Sequence, residues 1–491
     1  MIERRPQHVA DEHFDVIVIG GGVHGIFTAL EAARRGLRPV VVERADFGGG
    51  ASFNTLRILH GGLRYLQVMN LSRYFASLAE RRWFAQHLPD LIRVMPCVMP
   101  LHARGLKRSA VMRAALALDG ALSQQRNRGV ASGLHIPQGR VVDPTRAVSL
   151  FPGARRGRLE GAAVWHELVM PAPQRVVIEL LHWACGVGAA ALNYTRVAGL
   201  RVRGGCVVGV DVVDELDGAR YAIHASIVVN CAGPGCVELG ASDRASPDWP
   251  AGPALAFNVL LDVEPPADAA LAVQPRRAGA PVYFLHPLRG RLLAGTAHLP
   301  AAAGGSVAAV TEQQVGALVA DLNEAVPTFK LGMDQVCRVH AGLVPARRAG
   351  EATPAARPRI VDHARHGGPA GLVSVAGVKF TTARRVAECA LDVAWRPRGG
   401  LPGYRPAAAR PASASARGID LVDTDELFRG DDAVVARALR ELIEHEAVTR
   451  LEDLIERRTD WAVSRAGVSA VRARLQSLGV DKHAATCQMP T

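Results

Sequence analysis

Residues 14 to 43 set out a strand, a glycine turn, a helix and a second strand, and that order leaves few folds open. Phe14-Asp15-Val16-Ile17-Val18-Ile19 is a short apolar run that reads as a strand. Gly20-Gly21-Gly22-Val23-His24-Gly25 follows at once and satisfies G-x-G-x-x-G. Ile26, Ala29, Leu30 and Ala33 then recur at helical spacing, and Pro39-Val40-Val41-Val42 is a second buried-type strand ending at Glu43. Each part has a physical job. Gly20 allows the tight turn, Gly22 lets backbone approach a pyrophosphate, and Gly25 lets the helix pack closely on the strand. The helix N-terminus offers N–H groups and a positive dipole end to phosphate oxygens. Glu43 lies about twenty residues beyond the glycines, where a carboxylate accepts from ribose hydroxyls. The unit reads as a dinucleotide site. Its acidic end favours FAD or NAD over NADP, although Arg44 follows directly.

A chain of 491 residues is too long for one small core, so two or three domains are expected. No apolar run is long enough to span a bilayer. Met1 to His13 is charged and polar, unlike a secretory signal. These features predict a cytoplasmic protein, with membrane contact limited to the surface. The net charge is +12, carried mostly by arginine. No dense basic tract with interleaved aromatics occurs, so nucleic acid is not an expected partner. Attraction to anionic lipid or an anionic substrate fits better. The eight cysteines form no C-x-x-C pair, so no metal or iron–sulfur site is expected.

Along the chain, residues 45 to 66 form a glycine- and serine-bearing loop, and helices are predicted over 70–90, 107–130 and 174–188. The period then changes to two. Arg196 to Val202, Val207 to Asp214 and Tyr221 to Ile223 are separated by Gly204-Gly205 and Asp217-Gly218, which are hairpin signals. Ser226 to Gly233 reads as a parallel strand whose end faces the cofactor. Residues 253 to 300 alternate again and predict a mostly antiparallel substrate sheet. Residues 312–326 are predicted helical. Gly371 to Gly377 repeats the strand-then-glycine pattern before a helix over 382–394. Residues 401–416, rich in Pro, Ala and Ser, read as a linker. The predicted fold class is α/β, with a Rossmann-type domain binding FAD or NAD (1–100, 150–250 and 340–400), a mostly antiparallel substrate domain (101–149 and 251–339) and a C-terminal α-helical domain (417–491).

His60-Gly61-Gly62-Leu63-Arg64-Tyr65-Leu66 closely resembles the H-G-G-L-R-Y-L signature of FAD-dependent glycerol-3-phosphate dehydrogenases, of the D-amino-acid-oxidase-like superfamily. Val229-Asn230-Cys231-Ala232-Gly233-Pro234 resembles V-N-A-A-G-P, Gly295-Thr296 the start of G-T-T-D, and Ser374 to Thr382 the family's S-V-A-G-G-K-L-T-T. Leu451 to Thr459 resembles its L-E-D-(V/L)-L-x-R-R-T. The resemblance implies FAD, contacted by Ser52, Asn54, Thr55, Arg57, His60, Gly61, Gly62, Val197, Ala232, Gly233, Gly377, Lys379, Phe380 and Thr381, beside the glycines, Glu43 and Arg44. Lys379 is expected at the flavin edge, where a cation stabilises the reduced ring. Arg64 is expected beside the flavin ring with Lys379, as a catalytic residue.

Several positions depart from the family pattern. G-(V/L)-R-P becomes Gly342-Leu343-Val344-Pro345, so the arginine expected to grip phosphate is a valine. G-T-T-D becomes Gly295-Thr296-Ala297-His298, and T-T-Y-R becomes Thr381-Thr382-Ala383-Arg384. The D-D-A-R-L region becomes Pro171-Ala172-Pro173-Gln174-Arg175-Val176. Arg338, Arg347, Arg348 and His340 are candidate replacements for the lost charge. His298 is the candidate base, placed to take a proton from an alcohol or amine as hydride leaves. His286 and His340 are weaker candidates. The expected activity is oxidation of a CH–OH group on a glycerol-3-phosphate-like anion by hydride transfer to flavin, with a quinone or another acceptor taking the electrons. The alternative is an amine or amino-acid oxidase of the same superfamily that uses oxygen.

Overall fold

The computed structural model describes residues 1–10, 12–102, 108–152, 159–233, 236, 252–275, 277, 279–302, 310–405, 410 and 424–480. Pro234, most of the 401–416 linker, Lys107 at the start of one predicted helix, and residues 481–491 lie outside them.

The first strand, Val16–Ile19, is the centre of a six-stranded sheet. Its neighbours are Pro39–Val42 and Val228–Asn230, and the order runs Arg359–Asp362, Leu372–Ala376, Val228–Asn230, Val16–Ile19, Pro39–Val42, Ala190–Leu192. All pairings are parallel except that of the Arg359–Asp362 edge. Alternation along these strands feeds two cores. Val16, Val18 and Val41 face the helices Val23–Ala33, Pro173–Gly186 and Ala383–Trp395. Ile17, Ile19, Val40 and Val42 face a four-stranded sheet that includes Thr195–Arg203, Cys206–Asp214 and Arg220–Ala225. That sheet is the meander that Gly204-Gly205 and Asp217-Gly218 announce.

A nine-stranded, mostly antiparallel sheet forms the second layer. It contains the expected strands Pro253–Leu261, Tyr283–Leu288 and Arg291–Pro300. It also takes Arg93–His102, Leu159–Val169 and Val336–Pro345, three strands that the sequence division kept wholly or partly with the cofactor segments. Pro96 and Pro100 hide the first of these, because proline donates no ladder hydrogen bond and argues against a strand. The helix Glu312–Ala325 covers one face of this sheet with Val315, Leu318, Val319 and Leu322.

The C-terminal residues have their own core, built from Leu427, Leu439, Leu442, Leu451, Leu454, Trp461, Val471 and Leu475. This unit docks on the Pro173–Gly186 helix through buried charge. Arg175 donates to Glu446 at 2.6 and 2.7 Å and to Glu179 at 2.5 Å, and His182 Nε2 lies 3.0 Å from Glu446. Burial pushes the Glu446 carboxyl up, but Arg175 and His182 outweigh it and hold it far below its ordinary value of 4.5. Such a group contributes stability above its ordinary value and loses it as pH falls towards the folded value. Arg175→Met, which leaves the buried Glu446 with only His182 and, at 3.9 Å, Arg458, is expected to cost about 3–5 kcal/mol at neutral pH. Urea unfolding measures this, and the gap between variant and parent should narrow as pH drops below 4.5.

Candidate active site

The glycine turn leaves no room for side chains. A Cβ on Gly25 would lie 1.9 Å from the Gly20 carbonyl oxygen, and one on Gly20 (φ +101°) would lie 2.7 Å from that of Cys231. The Val228–Asn230 strand therefore ends against the turn, with Ala232 and Gly233 just beyond it. The Glu43 carboxylate accepts from the N–H groups of Gly21 (2.7 Å) and Ala45 (2.9 Å). Burial raises its pKa from the ordinary value, and those two bonds and the neighbouring Arg44 hold it back. Val197 lies two residues past Thr195, whose N–H donates to the Glu43 carbonyl at 2.7 Å, so the meander closes this end of the cleft.

Loop 46–57 lies across the same turn. Gly48 N–H donates to the Gly21 carbonyl, and the Ser52 hydroxyl accepts from Val23 N–H at 3.0 Å, at the start of the helix. Asn54 bonds back to Gly50, and the Thr55 hydroxyl accepts from Arg57 N–H. The Asn54 carbonyl also accepts from Asn258, whose side-chain oxygen accepts from Thr296 at 2.7 Å. This half-buried chain ties the loop to the nine-stranded sheet. Arg57 requires a correction. Its guanidinium, 1% exposed, is taken up by Asp460 at 2.9 and 3.0 Å and by the Pro171 carbonyl, so it is not the cofactor contact expected from sequence.

The third glycine segment reaches the first through His24. A Cβ on Gly377 would lie 2.1 Å from His24 Nε2, a buried atom without a hydrogen-bond partner. Burial drops the His24 pKa to about 4, so the ring is neutral at ordinary pH. Thr381 is buried close by in sequence, and Phe380 turns its ring towards Phe84 at 6.2 Å, which leaves only its backbone for the cleft. Three glycine cradles, an orphaned imidazole nitrogen and the helix N-terminus all suit a dinucleotide such as FAD.

The HGG segment is held from behind by Glu167, which sequence reasoning missed. Its buried carboxylate accepts from Gly61 N–H (2.7 Å), Arg81 (3.1 Å) and Trp165 (3.2 Å), and His60 Nδ1 lies 3.7 Å away. Burial pushes this carboxyl up, but His60, Arg81 and Gly61 bring it below its ordinary value. Gly61 and Gly62 pack against Arg81 and Ser77 without space for a Cβ.

Arg64 and Lys379 come together over the buried Tyr65 ring, at 5.5 and 4.5 Å from its centroid. Arg73 stands 4.4 Å from the same ring, donating to the Tyr65 hydroxyl and to the Ala356 carbonyl. Burial lowers the Lys379 pKa to about 8, with Arg64 adding to the drop. His298 is also lowered, by burial and then by Arg64, which places it in the same field. Burial, Arg64 and Arg357 likewise lower Arg73. Among the described residues no carboxylate lies within ion-pair distance of Arg64, Arg73, Arg357 or Lys379.

The candidate replacements for lost charge are engaged elsewhere. Arg338 pairs with Glu456, and Arg347 and Arg348 with Glu351. His340 is buried, neutral and without a partner at either ring nitrogen, and His286 sits between the carbonyls of Leu56 and Pro287. Arg73, with Arg357 beside it, brings further positive charge close to Arg64. Each lies far from the other in sequence and outside any motif, so only the folded chain reveals them. Val344 does face the His298 side. His298, Ala256 and Gly342 are cross-strand partners, and Val344 follows Gly342 by two residues on the same face. Gly342 in turn packs on the Ala51 backbone.

The comparisons agree with this geometry. The family profile described as FAD dependent oxidoreductase matches residues 15–384. Glycerol-3-phosphate dehydrogenase 1 of Mycobacterium tuberculosis is 30% identical over 383 residues, covering 77% of this chain and 72% of the relative. Glycerol-3-phosphate dehydrogenase of Synechocystis sp. is 27% identical over 395 residues, with 77% and 69% covered. The X-ray structure of glycerol-3-phosphate dehydrogenase from Bacillus halodurans, complexed with FAD, superposes with a TM-score of 0.68 at 20% identity, covering 96% of this chain and 90% of that one. Glycine oxidase from Bacillus cereus shares the fold more loosely, with a TM-score of 0.53 at 17% identity over 80% of this chain and all of that one. The chain belongs to the FAD-dependent oxidoreductase family, in its glycerol-3-phosphate dehydrogenase-like branch.

Proposed function

We propose that this oxidoreductase takes a small anionic alcohol of the glycerol 3-phosphate kind. The observation that carries this reading is the cluster of Arg64, Arg73 and Lys379 around Tyr65, with Arg357 beside Arg73: four cations with no carboxylate within ion-pair distance among the described residues. Arg64 and Arg357 are exposed and Arg73 and Lys379 half-buried, so the cluster is open to a ligand, and like charges held this close repel until an anion neutralises them. The names of the curated relatives support the same substrate class.

In this reading FAD, when bound, supplies the two-electron acceptor for the substrate carbon. Arg64 and Lys379 hold the anion and fix its position. Arg73, from the Leu71–His87 helix, and its neighbour Arg357 grip it as well, which replaces the grip lost at Val344. His298, neutral at ordinary pH because burial lowers its pKa, accepts the hydroxyl proton. Glu167 keeps the HGG segment in place, and Glu43 orients towards ribose hydroxyls. A second reading, an amine or amino-acid oxidase using oxygen, draws support from Val344, because a carboxylate needs fewer cations than phosphate.

A quinone is the proposed electron acceptor, met at a membrane face. The exposed Val68, Met69, Leu71 and Phe75, just beyond Tyr65, support surface contact with lipid. Among the described residues no helix is long and apolar enough to cross a membrane.

An anaerobic substrate screen at the flavin absorbance bands tests the reading. Glycerol 3-phosphate or a related anionic alcohol should bleach the flavin, and neutral alcohols should not. Reduction by amino acids with peroxide formation would overturn it in favour of the second reading. Val344→Arg should lower the KM for glycerol 3-phosphate by about tenfold, the worth of one hydrogen bond to a charged group. An unchanged or raised KM would contradict the role given to this face.

The lowered Lys379 pKa sets a pH limit. Its ammonium is lost as pH rises through about 8, so the KM for the anion should climb there. Lys379→Arg, whose charge persists, should move that rise to higher pH. Superimposable profiles for the two proteins would remove Lys379 from anion binding.

A further inference from the structure

The run Leu451 to Thr459 has no part in the proposed reaction, yet two of its last residues and the next residue, Asp460, grip the cofactor loop at three points. At the start of loop 46–57, Asp46 accepts from Arg458 at 2.5 and 2.8 Å. At its end, Arg57 donates to Asp460 at 2.9 and 3.0 Å. In the middle, the Arg457 guanidinium lies 4.3 Å from the centre of the Phe53 ring. The polarity of the two ion pairs is opposite, so the segment fits the loop in one direction only. All four charged groups of those pairs are buried.

The segment itself is braced. Residues Leu454–Arg458 form one wide helical turn, and the Thr459 hydroxyl donates back to the Leu454 carbonyl at 2.8 Å. Gln174 donates to both the Thr459 carbonyl and Asp460. The loop, by contrast, has one short turn at Gly50–Ser52 and adopts φ of +77° at Gly48, +60° at Gly50 and +65° at Arg57. A loop of that kind has many competing conformations, and fixing one carries a large entropic cost. Its ordered form is the one that sets Ser52 at the helix N-terminus and Gly48 on Gly21.

We propose that Arg457, Arg458 and Asp460 act as a staple that holds loop 46–57 in its cofactor-receiving shape, so that FAD affinity depends on the docked C-terminal unit. These are positioning residues, acting through the loop. Linkage makes the effect reciprocal: bound FAD holds the C-terminal unit in place. The inference goes beyond the proposed reaction and rests only on the FAD site.

The test uses full-length Asp460→Asn, with Arg291→Met as comparator, because Arg291 ties down the same unit through the Val463 and Ser464 carbonyls without touching the loop or the three staple residues. Apoprotein is reconstituted with FAD, and the dissociation constant is read from flavin fluorescence. Asp460→Asn should weaken FAD by at least about tenfold, or about 1.4 kcal/mol, and Arg291→Met by much less. FAD should slow proteolysis of residues 424–480 in the parent and fail to do so in Asp460→Asn. Equal weakening by both variants, or parent-like affinity in Asp460→Asn, would overturn the staple. If Asp460→Asn does not fold, Arg457→Ala replaces it, since it removes a ring contact and breaks neither buried pair. It should then weaken FAD by about threefold, and unchanged affinity would overturn the proposal. A parent protein that takes up no FAD at all fails the cofactor reading, which is a separate result.

Discussion

The contact between Gly25 and the Gly20 carbonyl is the constraint on which the remaining structure depends. With 1.9 Å between a hypothetical Cβ and that oxygen, the Val23–Ala33 helix lies directly on the first strand, and only glycine permits it. That closeness aims the helix N-terminus at the carboxyl ends of the parallel strands. Loop 46–57, the Cys231–Gly233 segment and Gly377 then pack on the same turn, each through a backbone without a side chain in the way. The HGG segment joins them through Tyr65 and Lys379.

Charge is divided between two populations. Arg57, Arg175, Arg384 and Arg458 are buried or half-buried and paired with carboxylates, and they hold layers together. Arg64, Arg73, Arg357 and Lys379 have no such partner among the described residues; three of them surround one aromatic ring, and Arg357 lies beside Arg73. A net charge of +12 says nothing of this division. Buried pairs fix geometry more than they stabilise, because desolvation offsets much of their attraction. The unpaired set leaves positive charge uncompensated, which the proposed anionic substrate would neutralise.

Local signals were legible in the sequence. The strand, turn, helix and Glu43 appear where periodicity and glycine spacing put them, and so does the meander with its two glycine turns. The motifs also singled out Arg64, Lys379 and His298, and the fold puts the last two within the field of the first. What stayed hidden depends on distance along the chain. Arg57 looked like a cofactor residue because its partner, Asp460, lies 403 positions away. Arg73 and Arg357 belong to no motif and gain meaning only beside Arg64. The Arg93–His102 strand was masked by its own prolines, which sit in a ladder with Leu159–Val169.

The most direct measurement is the flavin content of the purified chain, obtained by denaturing it and quantifying what is released. The account predicts FAD at about one molecule per chain, taken up again by apoprotein with quenching of its fluorescence. Colourless protein that cannot be reconstituted, or that releases a nicotinamide nucleotide instead, would contradict it.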